Sequence, residues 1–149
     1  MPTKTSTTAA DGFTAEERAA MKERAAELRA EGRKGAKKAD GLKAVLDRIA
    51  DMPPEDRALA ERVHLTVTAA APGLTPKTWY GMPAYANEAG KVVVYFQDAG
   101  KFKSRYSTLG FNDDAALDDG DMWPTSYAIT GWSPKVEKKV GKLVKAATS

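Results

Sequence analysis

The chain has 149 residues, a formal net charge of +3 and no cysteine. That length suits one domain with a core that needs no staples, and the missing thiols exclude disulfides, thiolate metal sites and cysteine nucleophiles. No apolar run approaches the roughly 20 residues of a membrane span, so a cytoplasmic protein with no membrane partner is expected. Residues 1–12, rich in Thr, Ser, Ala and Asp, have no apolar segment of a secretory signal. They read as a disordered tail, which leaves residues 13–149 as a single domain.

Thr14 and Glu17 have the spacing of a capping box and open a first helix with an apolar stripe of Met21, Ala25 and Leu28. Gly32 ends it, and the basic stretch Arg33, Lys34, Lys37 and Lys38 reads as a loop. Asp40 suits the cap of a second helix, in which Leu42, Val45, Leu46 and Ile49 recur at helical spacing. Pro54, Glu55 and Asp56 make a favourable first turn for a third helix, with Leu59, Val63, Val67 and Ala70 as its apolar face. His64, the only histidine, falls one residue past that stripe, where a helix-boundary position is expected. One His and no Cys exclude the usual tetrahedral zinc site and a two-His iron site within one chain.

The character then changes to strands. Short strands are expected at 78–80 and 84–88, around a Gly-Met-Pro bend. Lys91 to Gln97 is the strongest strand, apolar on both faces. Asp98-Ala99-Gly100 reads as a hairpin turn, returning through Phe102 to Leu109. A short helical turn capped by Asn112 is expected within 112–120, and a further strand over 125–129. Ser133-Pro134 opens a last helix with Val136, Val140, Leu143, Val144 and Ala147 on one stripe and lysines opposite. The natural layering is an α+β fold, an antiparallel sheet with helices against one face.

Three segments carry candidate chemistry. In Trp79-Tyr80-Gly81-Met82-Pro83-Ala84-Tyr85, aromatics surround two backbone punctuators. Core packing accounts for Trp79 and Met82, whereas Tyr80 and Tyr85 have hydroxyls that need partners. Basic and aromatic residues interleave at Arg105 and Tyr106. With Tyr80, Tyr85 and Trp123, these two form the candidate lining of a small-molecule pocket. Arg105 is also expected to pair with an Asp of the third segment. There Asp114, Asp118, Asp119 and Asp121 offer oxygen ligands to a hard cation, in a spacing unlike an EF-hand loop; Asp114 and Asp118 would share a face if the segment is helical. A solvated acidic turn is the competing reading. No catalytic residue can be assigned: no phosphate loop or nucleophile elbow is present. Nucleic-acid binding through the two lysine clusters ranks last.

Residues 78–131 resemble the YdhG-like family of small bacterial domains. The resemblance rests on Trp79-Tyr80-Gly81-Met82-Pro83-Ala84-Tyr85, on Lys91-Val92-Val93-Val94-Tyr95-Phe96, and on Leu117-Asp118-Asp119-Gly120-Asp121-Met122-Trp123-Pro124. It implies a frataxin-like two-layer fold and, as one candidate function, the carriage of iron as an intracellular chaperone. This chain departs from an acidic frataxin-type first helix, because Glu16, Glu17, Glu23 and Glu27 alternate with Arg18, Lys22, Arg24 and Arg29. The segment from Asp113 to Asp121 is therefore the one place expected to hold iron.

Overall fold

A strand apolar on both faces belongs inside a sheet, and the run Val92–Gln97 is its third strand. A computed structural model describes residues 13–31 and 38–149; the expected tail at 1–12 and the basic stretch at 33–37 lie outside the described residues. The described part is α+β. Five helices, α1 (Ala15–Glu31), α2 (Lys38–Ala50), α3 (Pro54–Ala70), the short α4 (Ala99–Phe102) and α5 (Pro134–Ala147), accompany five strands. The strands are β1 (Thr75–Trp79), β2 (Met82–Ala86), β3 (Val92–Gln97), β4 (Ser107–Phe111) and β5 (Ser126–Ile129). They form one antiparallel sheet in chain order, β1-β2-β3-β4-β5.

Register assigns the two faces, since directly paired residues point the same way. Pro76, Tyr85, Val94 and Phe111 stand in one row across β1 to β4, and Phe96 pairs with Leu109 beside it. This face shares its core with Val45 and Ile49 of α2, Val63 and Val67 of α3, and Val140 and Val144 of α5. On the opposite face Lys77, Ala84, Tyr95, Gly110 and Ser126 form the parallel row.

Two local signals act as expected. Thr14 and Glu17 exchange both capping-box hydrogen bonds, at 2.9 and 3.0 Å. The Ser133 hydroxyl accepts from the Val136 N–H at the start of α5, whose stripe is buried at Val140, Val144 and Ala147.

Other elements depart from expectation. In α2 only Val45 and Ile49 are buried, and Leu42 and Leu46 are exposed. That helix begins by Lys38, which places Asp40 in its first turn instead of at the cap. The bend between β1 and β2 is only Tyr80-Gly81, with φ of 54° and 76°; Met82 and Pro83 already belong to β2. Pro83 fits there because the pairing of β2 with β3 starts at Ala84, so its missing donor costs that ladder nothing. Asp98 is not in a hairpin turn. It precedes α4, and β4 starts only at Ser107, so Arg105 and Tyr106 lie in the approach to that strand. Residues 112–120 form turns and extended chain without a helix.

The largest departure is α1, which is inside out. Met21 and Leu28 are 37 % and 52 % exposed, and Ala25 is exposed. Glu16, Glu23, Arg24 and Glu27 occupy the partly buried side with Ala20. The spacing groups residues correctly by face, but polar partners on the Tyr80-Gly81 turn and at Lys101 and Lys103 decide which face turns inward.

Gly41 sets the approach of α2 to β1. A Cβ there would overlap the Pro76 carbonyl, a backbone atom that cannot swing away. An exposed helical Gly→Ala change ordinarily stabilises by roughly 1 kcal/mol. Gly41→Ala is expected to destabilise instead, by about 1–3 kcal/mol through forced repacking. Urea unfolding reads the sign, and a gain in stability would refute the close approach.

Candidate functional site

Loop residues held by rigid elements are the usual carriers of binding chemistry, and the approach to β4 is such a loop. Two short interactions fix its start. The Asp98 carboxylate is taken by Arg48, whose guanidinium donates to both oxygens at 3.0 Å, so it does not cap α4. The free N–H groups of that turn go elsewhere: Ala99 donates to Ser107 Oγ at 3.1 Å and Gly100 to Asp56 Oδ2 at 2.9 Å. Lys103 then turns the chain in the left-handed conformation, and Arg105 and Tyr106 follow on the surface.

These two residues line a groove of about 450 Å3. Arg62 and Leu59 of α3 line it as well, with Ile129 and Trp132 from the end of β5 and the loop before α5. The volume falls within the range of ligand pockets, roughly 300–1,000 Å3. The Arg105 guanidinium sits 5.2 Å from the centre of the Tyr106 ring, a cation–π distance. The Trp132 indole N–H donates to Glu137 at 3.3 Å, which holds that ring from the α5 side.

The groove has two electrostatic ends. Glu55 and Asp56 lie at its α3 N-terminal end. Asp56 is engaged with Gly100, and the helix N-terminus favours both acids where they are. Arg62 lies about two turns further, roughly 10 Å along the axis. Among the described residues neither Arg62 nor Arg105 makes an ion pair.

The remaining candidates are dispersed. Tyr85 lies in the core, 1 % exposed. Its hydroxyl is 2.8 Å from His64 Nδ1. His64 is itself buried, 9 % exposed, and is not the boundary residue its position beside the α3 stripe suggests; a polar partner across the core allows its burial. Burial raises the Tyr85 phenol and lowers the His64 imidazole, so both stay neutral. Tyr80 stacks edge-on against Trp79 at 5.0 Å and lies under the Arg24 guanidinium at 5.9 Å. Trp123 is half-buried in the chain leading to β5. Only Arg105 and Tyr106 of the five pocket candidates share a cavity, and Arg105 faces the groove of α3 instead of an Asp of residues 113–121.

Of the acidic residues, Asp114 accepts a hydrogen bond from Asn87 at 2.7 Å. Asp118, Asp119 and Asp121 are exposed. Without a helix, Asp114 and Asp118 share no helical face. Among the described residues no group of three or more His, Cys, Asp or Glu is placed to hold a metal ion. No described helix is long and apolar enough to cross a membrane.

Arg62 and Trp132 were not among the sequence candidates. Arg62 sits on the outer side of an amphipathic helix, and Trp132 follows a glycine in a short loop. Neither position signals that both meet Arg105.

Comparison with known proteins adds no name to this geometry: no family model, no curated protein and no solved structure matches the chain.

Proposed function

We propose that this chain is a small-molecule binding protein whose groove takes a planar ligand with an anionic end group. One observation carries the reading: two arginines that make no ion pair among the described residues line the same groove as two aromatic rings, Tyr106 and Trp132. Guanidinium groups recognise carboxylates and phosphates through paired N–H donors. The rings add contact area at small entropic cost. Binding is the activity that these paired donors and rings support directly. Iron carriage, implied by the family resemblance, has no comparable convergence of ligands behind it among the described residues. The lysines of α5 lie on the exposed side of a helix whose other side packs into the core through Val140, Val144 and Ala147, which favours solvation over nucleic acid.

The test is a thermal-shift and calorimetric screen of aromatic carboxylates and nucleoside monophosphates. A binder raises the unfolding temperature by mass action. Arg62→Ala and Arg105→Ala are each expected to weaken the best binder about tenfold or more, since a hydrogen bond to a charged group contributes roughly 1.5–3 kcal/mol. A screen without a saturable binder, or a binder indifferent to both changes, would sink the proposal.

A further inference from the structure

The inverted helix α1 is held to the sheet by an acidic row. Glu16, Glu23 and Glu27 are spaced i, i+7 and i+11, which places them on one helical face. Each meets a donor on the body of the domain. Glu16 pairs with Lys103 at 2.8 Å, and Glu23 pairs with Lys101. Glu27 takes the turn itself: Tyr80 N–H donates to Oε1 at 2.9 Å and Gly81 N–H to Oε2 at 3.0 Å. Two successive residues at positive φ aim their N–H groups into one concavity, an anion-binding nest. A carboxylate bridging both is the bidentate geometry such a nest selects.

The turn does not depend on α1 for its shape. Arg48 on α2 donates to the Gly81 carbonyl at 2.7 Å and is anchored by Asp98, and the β1–β2 register runs through to Trp79 and Met82. The attachment of α1 involves little burial. Ala20 is its one buried hydrophobic residue among those described, while Phe13, Met21 and Leu28 face outward. With α1 lifted, three carboxylates leave and Lys101, Lys103 and the two turn amides stay, an electropositive row with preformed donors.

We infer that the Tyr80-Gly81 turn, with Lys101 and Lys103, is a carboxylate-reading surface that α1 occupies in cis, and that an acidic helix of a partner protein takes the same donors in exchange. Its partner chemistry is a helix with acids at i, i+7 and i+11. The surface is separate from the Arg62–Arg105 groove and does not rest on it.

The experiment uses the full chain carrying Glu16→Gln, Glu23→Gln and Glu27→Gln together, and a synthetic peptide of residues 13–31 as the acidic probe. The peptide is expected to bind saturably and to shift the amide resonances of Tyr80 and Gly81. A peptide with the same three Glu→Gln changes is expected to bind at least tenfold more weakly. Equal binding of both peptides, or shifts that miss Tyr80 and Gly81, would overturn the inference. In the native chain, α1 amides are expected to exchange with solvent at least tenfold faster than those of β3, reporting local opening. Exchange at the β3 rate, or a triple variant that no longer folds, would show that α1 cannot leave and would also overturn it.

Discussion

Asp98→Ala is expected to remove about 3–5 kcal/mol of stability, the cost of leaving one member of a buried ion pair without its partner. Asp98 is 1 % exposed, and Arg48 reaches it with both carboxylate oxygens engaged at 3.0 Å. The same guanidinium holds the Gly81 carbonyl at 2.7 Å, so the pair ties α2, the β1–β2 turn and the end of β3 together. Loss of capping contributes nothing here, because the Asp98 side chain makes no cap bond to α4. Asp98→Asn is expected to recover little of the loss, since a neutral amide leaves the Arg48 charge uncompensated and turns N–H donors toward it. Domains of this kind have roughly 5–15 kcal/mol in total, so the change consumes a large share of it. Urea unfolding measures it as a lower midpoint at unchanged slope. A loss below about 1 kcal/mol would place the pair with ordinary surface salt bridges.

That pair also explains where sequence reasoning stops. Thr14, Glu17 and Ser133 were legible because each acts within three residues of itself. The α5 stripe and the double-sided β3 were legible for a related reason: periodicity alone specifies them, and the α+β layering follows from the order of elements. Asp98-Ala99-Gly100 has the composition of a hairpin turn, but the Asp98 carboxylate is claimed by Arg48, fifty positions away, and the chain coils into α4 instead. In α1 the heptad-like grouping was visible and its orientation was not. Whether Met21 and Leu28 or Glu23 and Glu27 turn inward depends on N–H groups created by the positive φ of Tyr80 and Gly81. The motif around Tyr80 marked a special bend, yet nothing in it names Glu27. Of the groove, Arg105 and Tyr106 were legible as a basic and aromatic pair, whereas Arg62 and Trp132 belong to it only through the packing of α3 and α5 against the sheet. The aspartates from 113 to 121 drew attention by composition, and composition carries no information on whether their side chains converge.

Tyr85 carries the second large effect, and three substitutions separate its two roles. Tyr85→Ala empties a fully buried site in the row formed with Pro76, Val94 and Phe111 and is expected to cost about 3–5 kcal/mol, as for other buried aromatics. Tyr85→Phe keeps the packing and deletes the hydroxyl. His64 is the hydroxyl's one hydrogen-bond partner among the described residues, and the tautomer of the neutral imidazole sets which of the two donates. Without the hydroxyl, Nδ1 is a buried polar atom that has lost this partner, at an expected cost of about 1–3 kcal/mol. The pair also sets an acid limit. Desolvation lowers the folded-state pKa of His64 below its ordinary 6.5. The unfolded chain therefore binds a proton that the folded chain resists, and stability falls as the pH falls wherever that difference exists. The contribution is complete above pH 6.5, is lost as the pH drops through that value, and levels off below the folded pKa. Protonation would place a cation in the core and leave both ring nitrogens as donors. His64→Gln is expected to flatten this acid loss. Unfolding midpoints between pH 5 and 8 for the native chain, Tyr85→Phe and His64→Gln would decide the matter. An identical loss in His64→Gln would assign the acid sensitivity to carboxylates elsewhere and free the His64–Tyr85 bond of any part in it.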